Sequence, residues 1–521
     1  MVNKEDTRTD PYWYLHVARA TDLTGFNKVL YRSFEMFPAI LSIATLGIFV
    51  FLAFVQPAIA AYISIIFSIY WLFKVMYLSI HLWYGHRRMQ AHLRVDWNMR
   101  LAGKPYEEVF HLVIFPYYSE GYEVLKESLE AVRNTKWNHK RVAIVLAAEE
   151  RAGEKAREVG ERLCAEYGDE FHSCITTVHP AGLPGELAGK GANSSWAAKE
   201  AREKILDAHD IPHEQVIVSC LDSDTVLYPQ YFGVLTWHFL AAEDRQHCSF
   251  QPTPLYNNNI WHSSFLSRVM AYSGSFWQMI QQERPEMLVT FSSHAMPFQA
   301  LEEAGFWQKN VVSEDSRIFF NLFVRNDGDW RVIPLAYPVS MDANTASSIW
   351  QTTKNIYKQN LRWNYGAENI AYVLFAFINN SRIPLIKKFQ TAMVQIEGFW
   401  SLVTHPIILF FIGWLPLIAG GRGFSVTVLS YNLPLVAQWF LTAAMFGLIV
   451  SAVLSMRLVP PRPPEYTWVR SAQLLLQWLL VPVTMVAFSA IPGLHAQLRL
   501  LFGRYMGFWV TPKTRDASEV L

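Results

Sequence analysis

Residues 215 to 224 read QVIVSCLDSD, an apolar run rich in β-branched residues followed by two aspartates that one serine separates. The run predicts a buried strand over 215–221. Asp222 and Asp224 then fall on the same side of an extended segment, because side chains alternate along it. Paired carboxylates at this spacing are ligands that Mg²⁺ or Mn²⁺ prefers, and such a cation also holds a diphosphate. The alternative is an Asx turn before a helix predicted over 228–240.

Earlier parts of the chain repeat the pattern of an apolar run followed by a helix. Further strands are predicted at 109–115 and 141–147, and helices at 122–133, 149–166 and 193–208. Strands that alternate with helices predict a parallel sheet covered on both faces, whose binding sites lie at the carboxyl ends of the strands. We therefore expect the chemistry in the loops that follow these strands.

The composition indicates that part of the 521-residue chain lies in a membrane. Charged residues make up 17% of the chain, against about 25% in an average soluble protein. Lys and Arg number 45 against 44 Asp and Glu, so no strong net charge attracts nucleic acid, which we exclude as a partner. The four cysteines include no CxxC pair, so we expect neither a zinc site nor a disulfide framework, and we place that part of the chain in a reducing compartment.

Apolar runs long enough to be membrane helices lie at 37–55, 59–83, 402–419, 430–455 and 471–491. The Lys and Arg residues that flank the second and third runs place the intervening domain and the N-terminus in the cytosol. Five crossings would put the C-terminus outside, yet four Lys and Arg residues follow the last run. Because Pro482 and Pro492 permit a re-entrant helix there, we expect a cytosolic tail.

The predicted organisation follows from these runs. Its parts are a cytosolic N-terminal segment (1–35), two transmembrane helices (36–84), a cytosolic α/β domain (85–382), an interfacial amphipathic helix (383–400), two or three transmembrane helices (401–495) and a cytosolic loop and tail (496–521). The interfacial helix is predicted because Lys387, Lys388 and Glu397 stand among apolar residues at near-helical spacing. We expect an integral protein of the plasma or cytoplasmic membrane that contacts membrane lipids.

Two loops of the α/β domain contain residue types suited to binding and acid–base chemistry. After the first strand, Tyr118 is able to stack on a nucleobase and Glu120 to accept a base N–H; a turn with an acidic cap is the alternative. Farther on, Ser313-Glu314-Asp315 precedes an apolar stretch. There the alternative is a helix N-cap with its acidic first turn.

The segment 357–365 (YKQNLRWNY) contains an arginine able to clamp a phosphate and a tryptophan able to stack on a sugar ring. An interfacial Arg-Trp pair at the membrane surface is the alternative. Taken in order between the apolar runs, the motifs from Val109 to Trp363 resemble those of the family 2 membrane glycosyltransferases, the cellulose, hyaluronan and chitin synthase group. That resemblance implies a GT-A (Rossmann-like) fold, a nucleotide-sugar donor, usually a UDP-sugar, and Mg²⁺ or Mn²⁺.

The resemblance also implies a role for individual residues. It assigns donor binding to Pro116, Tyr118, Glu120, Lys190, Asn193, Asp222 and Arg362, and the metal to Asp224 and Asp222. Asp315, beside Glu314, corresponds to the general base that deprotonates an acceptor hydroxyl, and the acceptor end corresponds to Gln359 and Trp363. The C-terminal stretch FWVTPK resembles the FxVTxK gating loop of cellulose synthases through Phe508, Val510, Thr511 and Lys513.

The chain departs from the family pattern at two places. Where the family has an Asp pair for the uracil, this chain has Ala147-Ala148-Glu149-Glu150, so Glu149 is the expected substitute. Where synthases have a Cys-containing acceptor loop, it has FSSHAMPF, so Ser293 and His294 are the expected acceptor-binding residues.

The leading hypothesis is a processive, inverting synthase that extends a glycan from a nucleotide sugar and threads it through its own helices, with accessory export proteins as partners. The alternative is a transferase that moves one sugar onto a polyprenyl phosphate or another lipid, which the small number of spans favours. A transporter or an inactive scaffold is disfavoured, because intramembrane charges are few and Asp222, Asp224 and Asp315 are all present.

Overall fold

The computed structural model describes residues 10–461, 463–464 and 468–511. Eight strands form one sheet. They are β1 (Phe110–Pro116), β2 (Val142–Glu149), β3 (Ser173–His179), β4 (Val216–Cys220), β5 (Val226–Leu227), β6 (Cys248–Tyr256), β7 (His294–Pro297) and β8 (Arg331–Met341).

The longer helices lie before, within and after this sheet. They are α1 (Gly25–Val55), α2 (Pro57–Leu93), α3 (Tyr122–Arg133), α4 (Glu154–Tyr167), α5 (Lys190–Ala201), α6 (Tyr231–Ala241), α7 (Phe265–Gln282), α8 (Glu314–Arg325), α9 (Ile349–Asn364), α10 (Glu368–Asn379) and α11 (Leu385–Phe410). Two more apolar helical stretches, α12 (Val428–Leu458) and α13 (Ala472–Leu501), complete the set.

The sheet has the strand order β3-β2-β1-β4-β7-β6-β8-β5 and is mixed. Strands β3, β2, β1 and β4 run parallel to one another, and β7 pairs antiparallel with both β4 and β6. This Rossmann-like sheet between apolar helices at both ends confirms the predicted fold class and is consistent with GT-A. Strand β3 and strands β5 to β8 were not predicted; the residues of β3, SCITTVH, mix polar and apolar types and are only partly buried at most positions.

The core lies on both faces of the central strands, because β1, β2 and β4 are buried along their whole length. One face packs against α5, α8, α10 and the N-terminal segment, and the other packs against α3, α4 and α6. Continuous apolar strands of this kind are typical of sheets covered by helices on both sides.

The N-terminal segment is part of the domain and is held by two buried ionic side chains. Arg317 is fully buried, lies 3.9 Å above the ring of Tyr372 and donates to the carbonyl of Val17 at 3.4 Å. Glu35 accepts hydrogen bonds from the backbone of Ala20 and from the hydroxyl of Tyr505. The N-terminal segment, α1 and the C-terminal loop are therefore joined at one point.

Five helices of the described chain are long and apolar enough to cross a membrane: α1, α2, α11, α12 and α13. Helix α11 runs antiparallel to α2, since Lys74 pairs with Glu397 at 3.1 Å and Ser64 donates to the carbonyl of Gly413 at 2.9 Å. Helix α12 runs parallel to α2, since Gly447 lies against Val75 and Arg457 lies 5.8 Å from the ring of Trp83. Segment 383–400 is not a separate helix, because α11 continues unbroken from Leu385.

Helix α13 contacts the α/β domain at both of its ends. Near its start, Gln477 accepts a hydrogen bond from Arg268 of α7 at 2.8 Å. Near its end, His495 lies within hydrogen-bonding distance of the Tyr357 hydroxyl of α9, at 3.1 Å. One to two turns later, the guanidinium of Arg32 donates to the carbonyl of Leu500. The helix therefore lies along the surface that α7 and α9 form.

One expectation about cysteines is wrong. Cys164 and Cys174 form a disulfide that joins the end of α4 to the start of β3, with 5.2 Å between their Cα atoms. The sequence did not predict it, because β3 was not recognised and its place beside α4 was therefore unknown. Cys220 and Cys248 are free and buried.

Candidate active site

The candidate site lies at the edge of the sheet where β1, β2, β4, β6 and β8 end and where β7 begins. The loops after β1, β2 and β4 contribute the predicted donor-binding residues. Two helices start at the same edge, α5 with Lys190 and α8 with Glu314. The edge therefore brings together motifs that lie almost 200 residues apart in the chain.

Lys190 joins two of the predicted motifs. Its ammonium nitrogen lies 2.7 Å from a carboxylate oxygen of Asp222 and 3.0 Å from both carboxylate oxygens of Asp315. Burial lowers the pKa of Lys190, but the two aspartates outweigh this effect and raise it well above its usual range. The side chain is thus a fixed positive charge between the predicted diphosphate site and the predicted base.

Asp224 is almost completely buried and is held by backbone and side-chain donors. Its Oδ2 accepts the backbone N–H of Asp342 at 3.1 Å, and its carbonyl accepts from the side chain of Asn258 at 3.1 Å. Asp342 follows β8 at the same edge of the sheet. The sequence analysis missed Asp342, although a carboxylate directly after a strand is the feature that identified Asp222.

Glu314 is buried beside Asp315, the predicted base, and packs against the backbone of Gly191. A Cβ built on Gly191 would lie 2.9 Å from the Cβ of Glu314, so only glycine fits there. Burial, followed by the charge of Asp315, raises the pKa of Glu314 to about 8. Its Oε2 has no hydrogen-bond partner among the described residues. Burial therefore favours the protonated form of Glu314, whereas the neighbouring Asp315 side chain is 22% exposed.

Ser293 and His294 are fully buried beneath the site, so neither presents its side chain to an acceptor. The hydroxyl of Ser293 lies 2.9 Å from the hydroxyl of Thr225, in the interior of the domain. His294 donates from Nδ1 to the carbonyl of Phe291 at 2.9 Å and accepts at Nε2 from the indole of Trp307 at 3.3 Å. Ser293 and His294 therefore support the site from below and do not form the predicted contact with the acceptor. The reason is that β7 inserts between β4 and β6 and buries its first residue.

The loop after β1 is hydrogen-bonded to the loop after β4, which contains Asp222 and Asp224. Glu120 accepts the backbone N–H groups of Tyr118 and Ser119 with one oxygen and the hydroxyl of Ser223 with the other, at 3.0 Å. Glu120 therefore shapes the loop, whereas the sequence analysis expected it to accept a base N–H. Pro116 is the buried last residue of β1.

A charged pair stands beside Tyr118. Glu149, at the end of β2, binds Arg151 through both carboxylate oxygens, at 2.5 and 3.1 Å. The guanidinium of Arg151 lies 4.4 Å above the Tyr118 ring. The sequence analysis named Tyr118 and Glu149 but missed Arg151, which a basic residue two positions after the expected acidic one could have indicated. Asn193 is buried and ties α5 to β2 by donating to the carbonyl of Ala147 at 2.7 Å.

The C-terminal loop covers the opening of the site. Phe508 packs against Gly189, which directly precedes Lys190, and lies 4.7 Å from the guanidinium of Arg362. Val510 is partly buried, Thr511 is buried, and Lys513 lies outside the described residues. The loop thus contacts both the start of α5 and the end of α9.

Two residues of α9, Gln359 and Trp363, were predicted to bind the acceptor. The half-buried Trp363 stands between the rings of Tyr256 and Phe291, at centroid distances of 6.2 and 6.0 Å. Gln359 accepts a hydrogen bond from Asn344 at 3.3 Å. Trp363 therefore belongs to an aromatic cluster beside the end of β6 and the start of β7.

The predicted ligands of a divalent cation are Asp222 and Asp224. Among the residues that the structure describes, no group of three or more His, Cys, Asp and Glu side chains is arranged to hold a metal. Two carboxylates are hard oxygen ligands that suit Mg²⁺ or Mn²⁺, whose remaining ligands in nucleotide sites come from water and phosphate oxygens. The residues therefore fit a cation that binds together with a diphosphate.

Comparison with known proteins gives a family match. The family described as "Glycosyl transferase family group 2" matches residues 217–491, more than half of the chain. A mannosyltransferase from Pyrobaculum calidifontis, solved with GDP-Man and Mn²⁺, aligns at 14% identity and a TM-score of 0.39, covering 71% of this chain and 99% of that one. Residues 1–349 of S. aureus TarS align at 11% identity and a TM-score of 0.35, covering 67% and 91%. Curated proteins gave no match.

Proposed function

Because the chain belongs to glycosyl transferase family group 2, we propose that it transfers a sugar from a nucleotide sugar to a growing glycan. A UDP-sugar is the first donor to test. The observation that carries the proposal is the position of Lys190 between Asp222 and Asp315. The buried ammonium group of Lys190 thus connects Asp222, a carboxylate suited to bind a metal ion with its diphosphate, to Asp315, a carboxylate suited to accept a proton. Such a link has no evident use in packing alone, because burying an ion pair is costly.

The proposed reaction is a single displacement with inversion. Asp315 takes the proton from an acceptor hydroxyl as that oxygen bonds to the anomeric carbon, and the nucleoside diphosphate leaves with the electron pair of the broken bond. Lys190 and Arg362 offset the charge of the leaving group. A divalent cation held by Asp222 and Asp224 would supply further charge neutralisation at the diphosphate.

The donor base is proposed to bind at Tyr118. The ring of this residue offers a stacking face, and the Glu149–Arg151 pair beside it offers both hydrogen-bond acceptors and donors to the edge of a base. Glu120 supports the loop from below. Phe508 closes over the site, which fits the gating role that the resemblance implies for the C-terminal loop.

The membrane topology proposed here has four crossings: α1, α2, α11 and α12. Their mutual directions are consistent, because α11 is antiparallel and α12 parallel to α2. Helix α13 would lie at the cytosolic surface, since both of its ends contact the α/β domain. An even number of crossings returns the C-terminal loop to the side of the catalytic domain, where Phe508 contacts Gly189.

Polymer synthesis is the proposed use of the acceptor end, where Trp363 would bind a sugar face. Transfer of one sugar to a lipid remains the second candidate. The observation that favours it is the small bundle: four crossing helices leave little width for a glycan. The two candidates share the donor site and differ only in what enters at Trp363.

A panel of radiolabelled nucleotide sugars tests the proposed activity. Purified protein in lipid discs is incubated with each donor and Mg²⁺ or Mn²⁺, and label in a product larger than the donor is counted. We expect transfer from one donor that disappears on chelation of the cation. Release of nucleotide without any transferred label from every donor would contradict the proposal.

A further inference from the structure

A cavity of about 680 Å³ lies where the start of α13 meets the starts of α7 and α9. It is separate from the loops that hold Lys190 and Tyr118. Its walls come from the α/β domain on one side and from the apolar helix α13 on the other. In the proposed topology this is the level of the membrane surface.

The lining of the cavity combines hydroxyl groups with exposed apolar side chains. Six hydroxyl side chains line it: Ser263, Ser264, Thr345, Ser347, Ser348 and Thr352. The lining also contains Phe265, Ile349 and Leu476, whose side chains are 44%, 59% and 64% exposed. Apolar side chains with this exposure beside a group of hydroxyls suit a ligand with an oxygen-rich head and an apolar tail.

A buried donor inside the cavity points to the head of that ligand. Gln477 is only 4% exposed, and its Oε1 accepts from the Nε–H of Arg268 at 2.8 Å. That bond fixes the orientation of the amide, so Nε2 carries the two N–H groups. Nε2 has no hydrogen-bond partner among the described residues. Buried donors are nearly always paired, so an unpaired one that lines a cavity indicates an acceptor atom from outside the chain.

The cavity is connected to the catalytic edge by a short loop. Asp342, whose backbone holds Asp224, is followed within three residues by Thr345, whose hydroxyl lies 2.9 Å from that of Ser263 in the cavity wall. Between them, Asn344 donates to Gln359 of α9. An occupant of the cavity would therefore touch the loop that supports both the predicted metal ligand and the acceptor end.

We propose that this cavity binds the phosphorylated head group of a membrane lipid. The phosphate oxygens accept from Gln477 Nε2 and from the hydroxyls of Ser264, Ser347 and Ser348, beside the guanidinium of Arg268, and the hydrocarbon chain leaves over Phe265 and Leu476 toward the membrane. The same head chemistry occurs in phospholipids and in polyprenyl phosphates. The inference goes beyond the proposed transfer reaction, because it concerns a site outside the donor pocket and does not depend on which acceptor receives the sugar.

Photolabelling of the full chain in detergent micelles tests this proposal without donor present, so the result is independent of transferase activity. The probes are a photoreactive phosphatidic acid and the matched diacylglycerol that lacks the phosphate. We expect phosphatidic acid to label peptides containing 262–268, 345–352 or 473–480, at least fivefold more than diacylglycerol. Equal labelling by the two probes, or labelling spread evenly over the apolar helices, would overturn the proposal.

Two variants make the test specific. Gln477→Glu keeps an acceptor for Arg268 but replaces the amide donor with a negative charge, so we expect at least fivefold weaker labelling by phosphatidic acid. Ser347→Trp fills the mouth of the cavity and should have a similar effect. Ser425→Trp places the same side chain at an exposed position outside the cavity and should label like wild type. Wild-type labelling of both cavity variants, at unchanged melting temperature, contradicts the assignment.

Competition identifies the source of the head group. Unlabelled phosphatidic acid and a polyprenyl monophosphate are added separately, and inorganic phosphate is added at the same concentration. Displacement at lower concentration by the polyprenyl monophosphate assigns the cavity to that lipid, and displacement by phosphatidic acid assigns it to phospholipid. Equal displacement by inorganic phosphate would show that the lipid chain is irrelevant and would overturn the inference.

Discussion

Replacing Asp315 with Asn removes the proposed proton acceptor and changes little else. In the structure both carboxylate oxygens of Asp315 lie 3.0 Å from Lys190 Nζ. The asparagine keeps one oxygen acceptor at that distance, and Lys190 keeps its 2.7 Å contact with Asp222. The donor site should therefore persist. A positioned general base contributes about 10²–10⁴-fold in rate, which corresponds to roughly 2.7–5.4 kcal/mol of transition-state stabilisation.

The assay separates binding from turnover. Calorimetry with the nucleotide sugar and the cation gives Kd, and release of nucleoside diphosphate under saturating donor and acceptor gives kcat. We expect D315N to bind donor within about threefold of wild type and to turn over at least about 10²-fold more slowly. The matched control is Asp207→Asn, which removes an exposed aspartate from the Arg202 and His213 cluster and should leave both quantities unchanged. A D315N enzyme with more than a tenth of wild-type kcat would refute the assignment of the base.

Three further substitutions probe the same site. Burial raises the pKa of Glu314 to about 8, so folding favours its protonated form, and the stability this gives is lost as pH rises from about 4.3 through 8. Glu314→Gln, which stays neutral, should melt like wild type at about pH 4 and at a higher temperature than wild type at pH 9; the same difference at both pH values would contradict the shift. Asp224→Asn should abolish cation-dependent donor binding in calorimetry, since a neutral amide cannot replace a carboxylate ligand; binding that still responds to chelation would remove Asp224 from the metal site. Phe508→Ala opens the contact with Gly189 and Arg362, and we expect turnover to fall with hydrolysis of the donor rising relative to transfer; an unchanged ratio would argue against a closing role.

Sequence patterns predicted three of the four strands that run parallel in one half of the sheet, β1, β2 and β4, but not β3. Strands β1, β2 and β4 are continuous apolar runs because helices cover both of their faces. The loops that follow such strands meet at one edge, so Tyr118 and Asp222 were expected together from the strands, whereas Asp315, at the start of α8, was added only by the resemblance to the family motifs. What the patterns could not supply was the partner of each side chain, as the contact between Lys190 and both aspartates illustrates.

The remaining differences have physical causes that a single sequence does not contain. Strand β3 carries no strong apolar pattern, so its disulfide to α4 through Cys174 was also missed. His294 is polar but fully buried, because an antiparallel strand places it between two others. Helix α13 has the composition of a membrane span, yet its residues Gln477 and His495 contact the α/β domain. Length and hydropathy do not distinguish these two placements.

The size of the product is the most direct test of polymer synthesis. Wild-type protein and Trp363→Ala are placed in lipid discs with the active donor, and labelled products are separated by length and by extraction into organic solvent. With wild type we expect a ladder of sugars that resists extraction. With W363A we expect short products only, because the aromatic platform no longer retains the chain between additions. Recovery of all label as a single-sugar glycolipid from the wild-type protein would contradict polymer synthesis and establish the lipid-transfer alternative.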